Sequence, residues 1–225
     1  FIFFALIILC LFKITYLVFL ILFFFLESKK YLRNSLLSIS AITMFYLVSY
    51  FNNPKFFLDF LNHLTYLRSS EFFNLYGGGF GLYSIIKGMP ELFYPGVSEN
   101  YKFYFQFVWV LLCGSFMSSM IFLLYIKKKK FSKLQTLSFG ILTITICYPL
   151  LKDYEGFLLV PVIYYLLFNL NFKSLFKKSD KNFKYILIFC SIAIHDKYML
   201  FFTAIIIFFL ILYIDYKDQE IFKKE

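Results

Sequence analysis

Cysteine, tryptophan, proline and charge are all scarce in this chain of 225 residues: four Cys, one Trp, five Pro, and only 16% charged side chains. Cys10, Cys113, Cys147 and Cys190 all lie inside apolar runs with no Cys-x-x-Cys spacing, so they read as small core residues rather than a disulfide framework or a metal site. Gly-x-Ser-x-Gly, His-Glu-x-x-His and a Cys–His pairing are missing, which leaves hydrolase and zincin chemistry without support. The run Gly77-Gly-Gly79 lacks the following Lys-Ser or Lys-Thr and the strand-to-helix setting of a phosphate loop, so it reads as a flexible turn. Residues 2–26 have no basic leader and no small-residue cleavage site, so they are not read as a removable signal peptide. No internal repeat is evident.

What the chain has in quantity is apolar surface. Hydrophobic residues make up 61% and aromatic ones 24%, with a mean hydropathy of +0.74. That is too apolar for a soluble domain of this size and predicts an all-α, polytopic transmembrane bundle. The formal charge of +10 sits in short tracts between apolar segments, as cytoplasmic connections do, so no nucleic-acid partner is expected.

In chain order, residues 2–26 form a first predicted span, interrupted by Lys13, and Glu27 to Ser35 reads as cytoplasmic. Asn34 to Phe51 is a second span. Residues 52–104 are then a long external excursion in which Lys55, Arg68, Lys87 and Lys102 balance Asp59, Glu71, Glu91 and Glu99. Pro54 suits a helix start, and Phe56, Phe57, Phe60, Leu61, Leu64 and Leu67 fall at helical spacing, predicting an amphipathic helix along the membrane surface. Gly77 to Gly81, Gly88, Pro90, Pro95 and Gly96 predict irregular backbone beyond it.

Tyr104 to Ile126 is the third span, followed by five lysines in Lys127 to Lys133. Leu134 to Leu151 returns outward, Lys152 to Gly156 turns, Phe157 to Phe172 comes back, and Lys173 to Lys184 is again cytoplasmic. The block Tyr185 to Ile214 is too long for one untilted span and carries His195, Asp196 and Lys197 near its middle. It predicts a helix, a break at 195–197, and a second helix from Met199. The reading totals about six to seven membrane segments: a pair in 1–51, the loop in 52–104, a bundle in 105–214 and a cytoplasmic tail in 215–225. A first residue that is Phe rather than Met leads us to expect an internal piece of a longer protein.

With lysine tracts inside, Asp59, the Asp153 turn and the His195 to Lys197 break all fall on the outer face. Asp59 and His63, spaced i, i+4, share one helical face. There a carboxylate could take a proton from an acceptor hydroxyl while His63 or Arg68 meets phosphate; the alternative is an ordinary polar face of an interfacial helix. Lys197, beside His195, suits an anionic lipid phosphate or, alternatively, caps a broken helix. Asp153 and Glu155 read as turn solvation first, and a divalent cation held between them and Asp59 stays open.

The order Leu58-Asp59-Phe60 with His63, Gly81-Leu82-Tyr83, Tyr94-Pro95 and Trp109, then Asp153 to Gly156, Lys173 to Lys184 and Lys197, resembles the membrane glycosyltransferases of the C-type fold. The likeness is to the polyprenyl-phosphate-mannose-dependent group, and His195-Asp-Lys-Tyr-Met-Leu200 is similar to a His-Glu-Lys phrase in the related glucosyltransferases. It covers roughly residues 52–214 and departs where Gly96 replaces a second proline and where an extra span precedes the acidic loop. The resemblance implies a hexosyltransferase of the plasma (inner) membrane that uses a polyprenyl-phosphate sugar donor and a glycan or lipid acceptor. Asp59 would be its base; His63, Arg68, His195 and Lys197 would hold donor phosphate. A transporter or flippase piece and a polysaccharide polymerase or ligase are the rival readings.

Overall fold

The computed structural model describes residues 7–8, 14–26, 28–66, 81–126, 131–148, 156, 159–171, 185, 188, 197–217 and 221–222, and these are helical with no strand among them beyond one isolated bridge. They belong to two compact units, residues 1–74 and 75–225.

In the first unit a 3-10 segment, Ile14–Leu22, leads into the short α1, Phe23–Leu26. Much of the first span expected over 2–26 lies outside the described residues. Helix α2 runs Ser28–Asn52, starting ahead of the expected Asn34 and taking in the stretch read as a cytoplasmic connection. Ser35, Ser38 and Ile42, spaced i, i+3, i+7, are its buried stripe, and α1 packs against α2. The rest of α2 presents Leu36, Leu37, Ile39, Met44, Phe45, Leu47 and Val48 outward.

Helix α3, Pro54–Tyr66, starts where Pro54 predicts. Asn53 breaks it from α2: its Oδ1 accepts from the Phe56 amide at 3.1 Å, satisfying one of the orphan donors of the first turn. The apolar stripe does not simply lie on a surface. Phe60 stacks on Tyr46 of α2 at 5.8 Å, and Phe57 meets Tyr50 edge-on at 5.5 Å. Aromatic contact thus folds α3 back on the end of α2.

The second unit opens with α4, Leu82–Phe93, where irregular backbone was expected. Gly88 and Pro90 are both inside this helix. Packing decides the matter, because Leu82, Tyr83 and Lys87 are buried and α4 lies against α6. A proline removes the bond to the carbonyl four residues back and crowds that carbonyl, and tertiary burial outweighs both here. Irregular backbone does follow: Gly96 is left-handed (φ 86°), and its amide donates to Glu91 Oε1 at 2.6 Å. After the single turn α5, Val97–Asn100, comes α6, Lys102–Ile126.

Helix α7, Lys133–Cys147, opens with a capping box: Gln135 N donates to Ser132 Oγ, and Ser132 N donates to Gln135 Oε1. It ends at Cys147, short of the expected Leu151. Tyr148 precedes Pro149, whose ring drives it to φ −64°, ψ 131° and stops the helix. Helix α8 is Leu159–Asn169, with Pro161 in its first turn, and α9 is Lys197–Tyr216. The last of these begins two residues ahead of the expected Met199, and residues 195 and 196 of the expected break lie outside the described residues.

The core of the second unit lies among α6, α7, α8 and α9. Phe208 of α9 stacks on Phe139 of α7 at 5.4 Å and meets Phe116 of α6 edge-on at 4.7 Å. Met120, Leu142, Ile146, Leu159, Ile163 and Ile211 fill the space around them. Among the described residues three helices are long and apolar enough to cross a membrane: Arg33–Asn52, Lys102–Tyr125 and Tyr198–Tyr216. On α6 and α9 the side away from the core is also apolar, with Phe107, Val110, Leu111, Phe122, Ile206 and Phe209 exposed. A helix apolar on all sides with only one side packed suits hydrocarbon around the other.

One end of this unit is tied together. Leu170 forms an antiparallel bridge with Phe222, the Asn171 amide donates to the Ile221 carbonyl at 2.9 Å, and Phe222 meets Phe131 at 5.3 Å. The stretch read as a polar tail from 215 thus contributes two buried apolar residues, Ile221 and Phe222.

Candidate functional site

Asp59 lies on the exposed side of α3, opposite the Phe57 and Phe60 contact with α2. Neighbouring Asn62 is exposed as well. His63 follows Asp59 by one helical turn on the same helix, so the backbone puts the pair on one face, as the i, i+4 spacing requires. Asp59 is the sixth residue of α3, about 9 Å of helix from Asn53 at 1.5 Å per residue. The carboxylate is exposed, and because α3 folds back on α2 its neighbour Phe60 lies against Tyr46 of that helix.

Of the other expected site residues, Arg68, Asp153, Glu155 and His195 lie outside the described residues, as does the run Tyr76 to Phe80. Lys197 is the first residue of α9. Asp59 and His63 belong to the first unit and Lys197 to the second. Among the described residues no group of three or more His, Cys, Asp or Glu could hold a metal ion.

Within the second unit, two phrases quoted for the resemblance do come together. Tyr83 and Trp109 are in edge-to-face contact, ring centroids 6.0 Å apart and planes at 77°. Tyr83 is buried, and burial raises its phenol above the ordinary 10.0. The Trp109 indole nitrogen is buried with no acceptor among the described residues. Tyr94 and Pro95 sit beyond the end of α4 in a turn that Gly96 closes, both exposed.

Lys87 was read from the sequence as one of the charges balancing a watery loop, but it is buried on the α4 face that meets α6. Its place four residues after Tyr83 could have signalled this only if α4 had been recognised as a helix through Pro90. A cluster of fully exposed apolar side chains, Leu92 (82%), Phe93 (77%) and Phe103 (75%), surrounds the α4–α6 connection. No family model matches the chain, and neither does any curated protein or solved structure.

Proposed function

We propose that this is a multi-pass integral membrane protein of the plasma (inner) membrane, with about six to seven membrane segments. Its reaction would be transfer of a hexose from a polyprenyl-phosphate sugar to a glycan or lipid acceptor on the non-cytoplasmic face. The observation that supports the reading is Asp59: an exposed carboxylate on the helix that follows the membrane-length α2, sharing one helix face with His63.

The chemistry follows from those residue types. Asp59 takes the proton of the acceptor hydroxyl as its oxygen bonds to the sugar carbon. The bond from that carbon to the phosphate oxygen breaks, and the lipid phosphate leaves with both electrons. His63, Arg68, His195 and Lys197 would neutralise the departing phosphate. No step is routed through a cation, although Asp153 and Glu155 are acids that could take one.

Replacing Asp59 with Asn in membranes supplied with labelled polyprenyl-phosphate sugar is the test. Transfer should fall by about a hundredfold or more, the usual worth of a positioned base. Undiminished transfer removes the catalytic assignment.

A second reading, lipid or solute transport, is favoured by one feature. Helices α7 and α8, with 15 and 11 residues, are short for a crossing, and α7 buries Gln135, Thr136, Ser138, Thr143 and Thr145 within the unit. Movement of the labelled lipid between leaflets without transfer of its sugar would select it.

A further inference from the structure

Two of the four cysteines, distant in sequence, face each other. Cys113 is the twelfth residue of α6 and Cys147 the last of α7. The Cys113 Sγ donates to the Cys147 carbonyl at 3.4 Å, and the Cys147 Sγ donates to the Cys113 carbonyl at 3.8 Å. Reciprocal contact of this kind brings the two residues side by side, and a bridge then needs Cα atoms about 4.4–6.8 Å apart with Cβ vectors turned inward. Both residues are half-buried thiols with no disulfide in place.

Depth restricts what could join them. Cys113 is eleven residues, about 16 Å, along the helix from Lys102, which is half of a hydrocarbon layer of about 30 Å. A charged, water-soluble oxidant does not reach that level, whereas a lipid-soluble quinone does. Quinones are competent terminal acceptors for the electrons of disulfide formation.

We propose that Cys113 and Cys147 are a disulfide-forming pair that fastens α7 to the middle of α6, oxidised from the lipid side by a quinone. The sulfurs form one S–S bond. The two thiol protons and two electrons pass to the quinone, which leaves as the quinol. This revises the reading of all four cysteines as inert core residues, and it rests on α6 crossing the bilayer.

The test uses the full chain with Cys10→Ser and Cys190→Ser, so that only this pair remains, reconstituted in lipid discs. A benzoquinone with every ring position substituted is added, since it takes electrons rather than adding to sulfur. Mass spectrometry of the chain and its fragments should show the loss of two hydrogens and a linked peptide containing both cysteines. A membrane-permeant phosphine should reverse the linkage. Cys113→Ser should abolish it at an unchanged melting temperature. Glutathione disulfide should act at least about tenfold more slowly, because a charged peptide is excluded from hydrocarbon.

Copper–phenanthroline in detergent reports on the sulfur pair alone. Absence of the linked peptide there, with both thiols still open to a small maleimide, overturns the proposal. Linkage in the discs that glutathione disulfide forms as fast as the quinone overturns the lipid-side route, and with it the placement of Cys113 in hydrocarbon, while the pair itself stands.

Discussion

Tyr83 and Trp109 form a contact whose energetics can be followed with a single probe, because Trp109 is the only tryptophan. The raised phenol of Tyr83 has a definite sign. Its folded form binds the proton more tightly than the unfolded chain, so the associated stability is intact below about pH 10 and falls as pH rises through the elevated value. Melting followed by Trp109 emission at pH 8 and pH 11 should therefore show a smaller alkaline loss in Tyr83→Phe than in the parent chain. An equal loss in both would mean that the phenol is not shielded. This contact was not legible in the sequence: each aromatic was noted separately, and no local period links positions 26 residues apart. Asp59 was legible as a candidate because i, i+4 spacing is local. Lys87 was not, since its burial depends on a helix that runs through a proline.

Helix boundaries divide along similar lines. The start of α3 was readable from Pro54, because a fixed φ and a missing donor suit a first turn whatever surrounds it. The side chain of Asn53 completes that start, and Asn53→Ala should lower stability by about 1 kcal/mol, measured by thermal or denaturant unfolding in detergent. At the head of α7, Ser132→Ala should cost a similar amount, with Ser132→Asp restoring most of it. The end of α7 was misplaced because hydropathy continues past Cys147 while backbone sterics do not: Tyr148 is held extended by the proline behind it. In α4 the error ran the other way. Gly88 and Pro90 were read as breakers, and burial of Leu82 and Tyr83 against α6 keeps the helix intact through both.

For the molecule as a whole, the second unit's stability should concentrate where Phe208 joins α6, α7 and α9. Phe208→Ala should cost about 3–5 kcal/mol and Phe208→Leu distinctly less, since a truncated ring leaves a void that a leucine partly fills. The transmembrane reading has its own check. Trp109 is seven residues, about 10 Å, past Lys102 on α6, so lipids brominated near that depth in the acyl chain should quench its emission more than those brominated at the bilayer centre. The all-helical fold and the helix that became α6 were evident from composition and hydropathy alone. How the connections group was evident only from their lysines, and the bridge of Leu170 to Phe222, with Phe131 alongside, brings three of those stretches together. That clasp gives α6, α8 and α9 a common heading and α7 the opposite one. A reporter enzyme spliced between Ser132 and Lys133 and another attached just after Phe222 must therefore register the same compartment, so a pair of fusions can fix the orientation of the bundle without any assay of its chemistry.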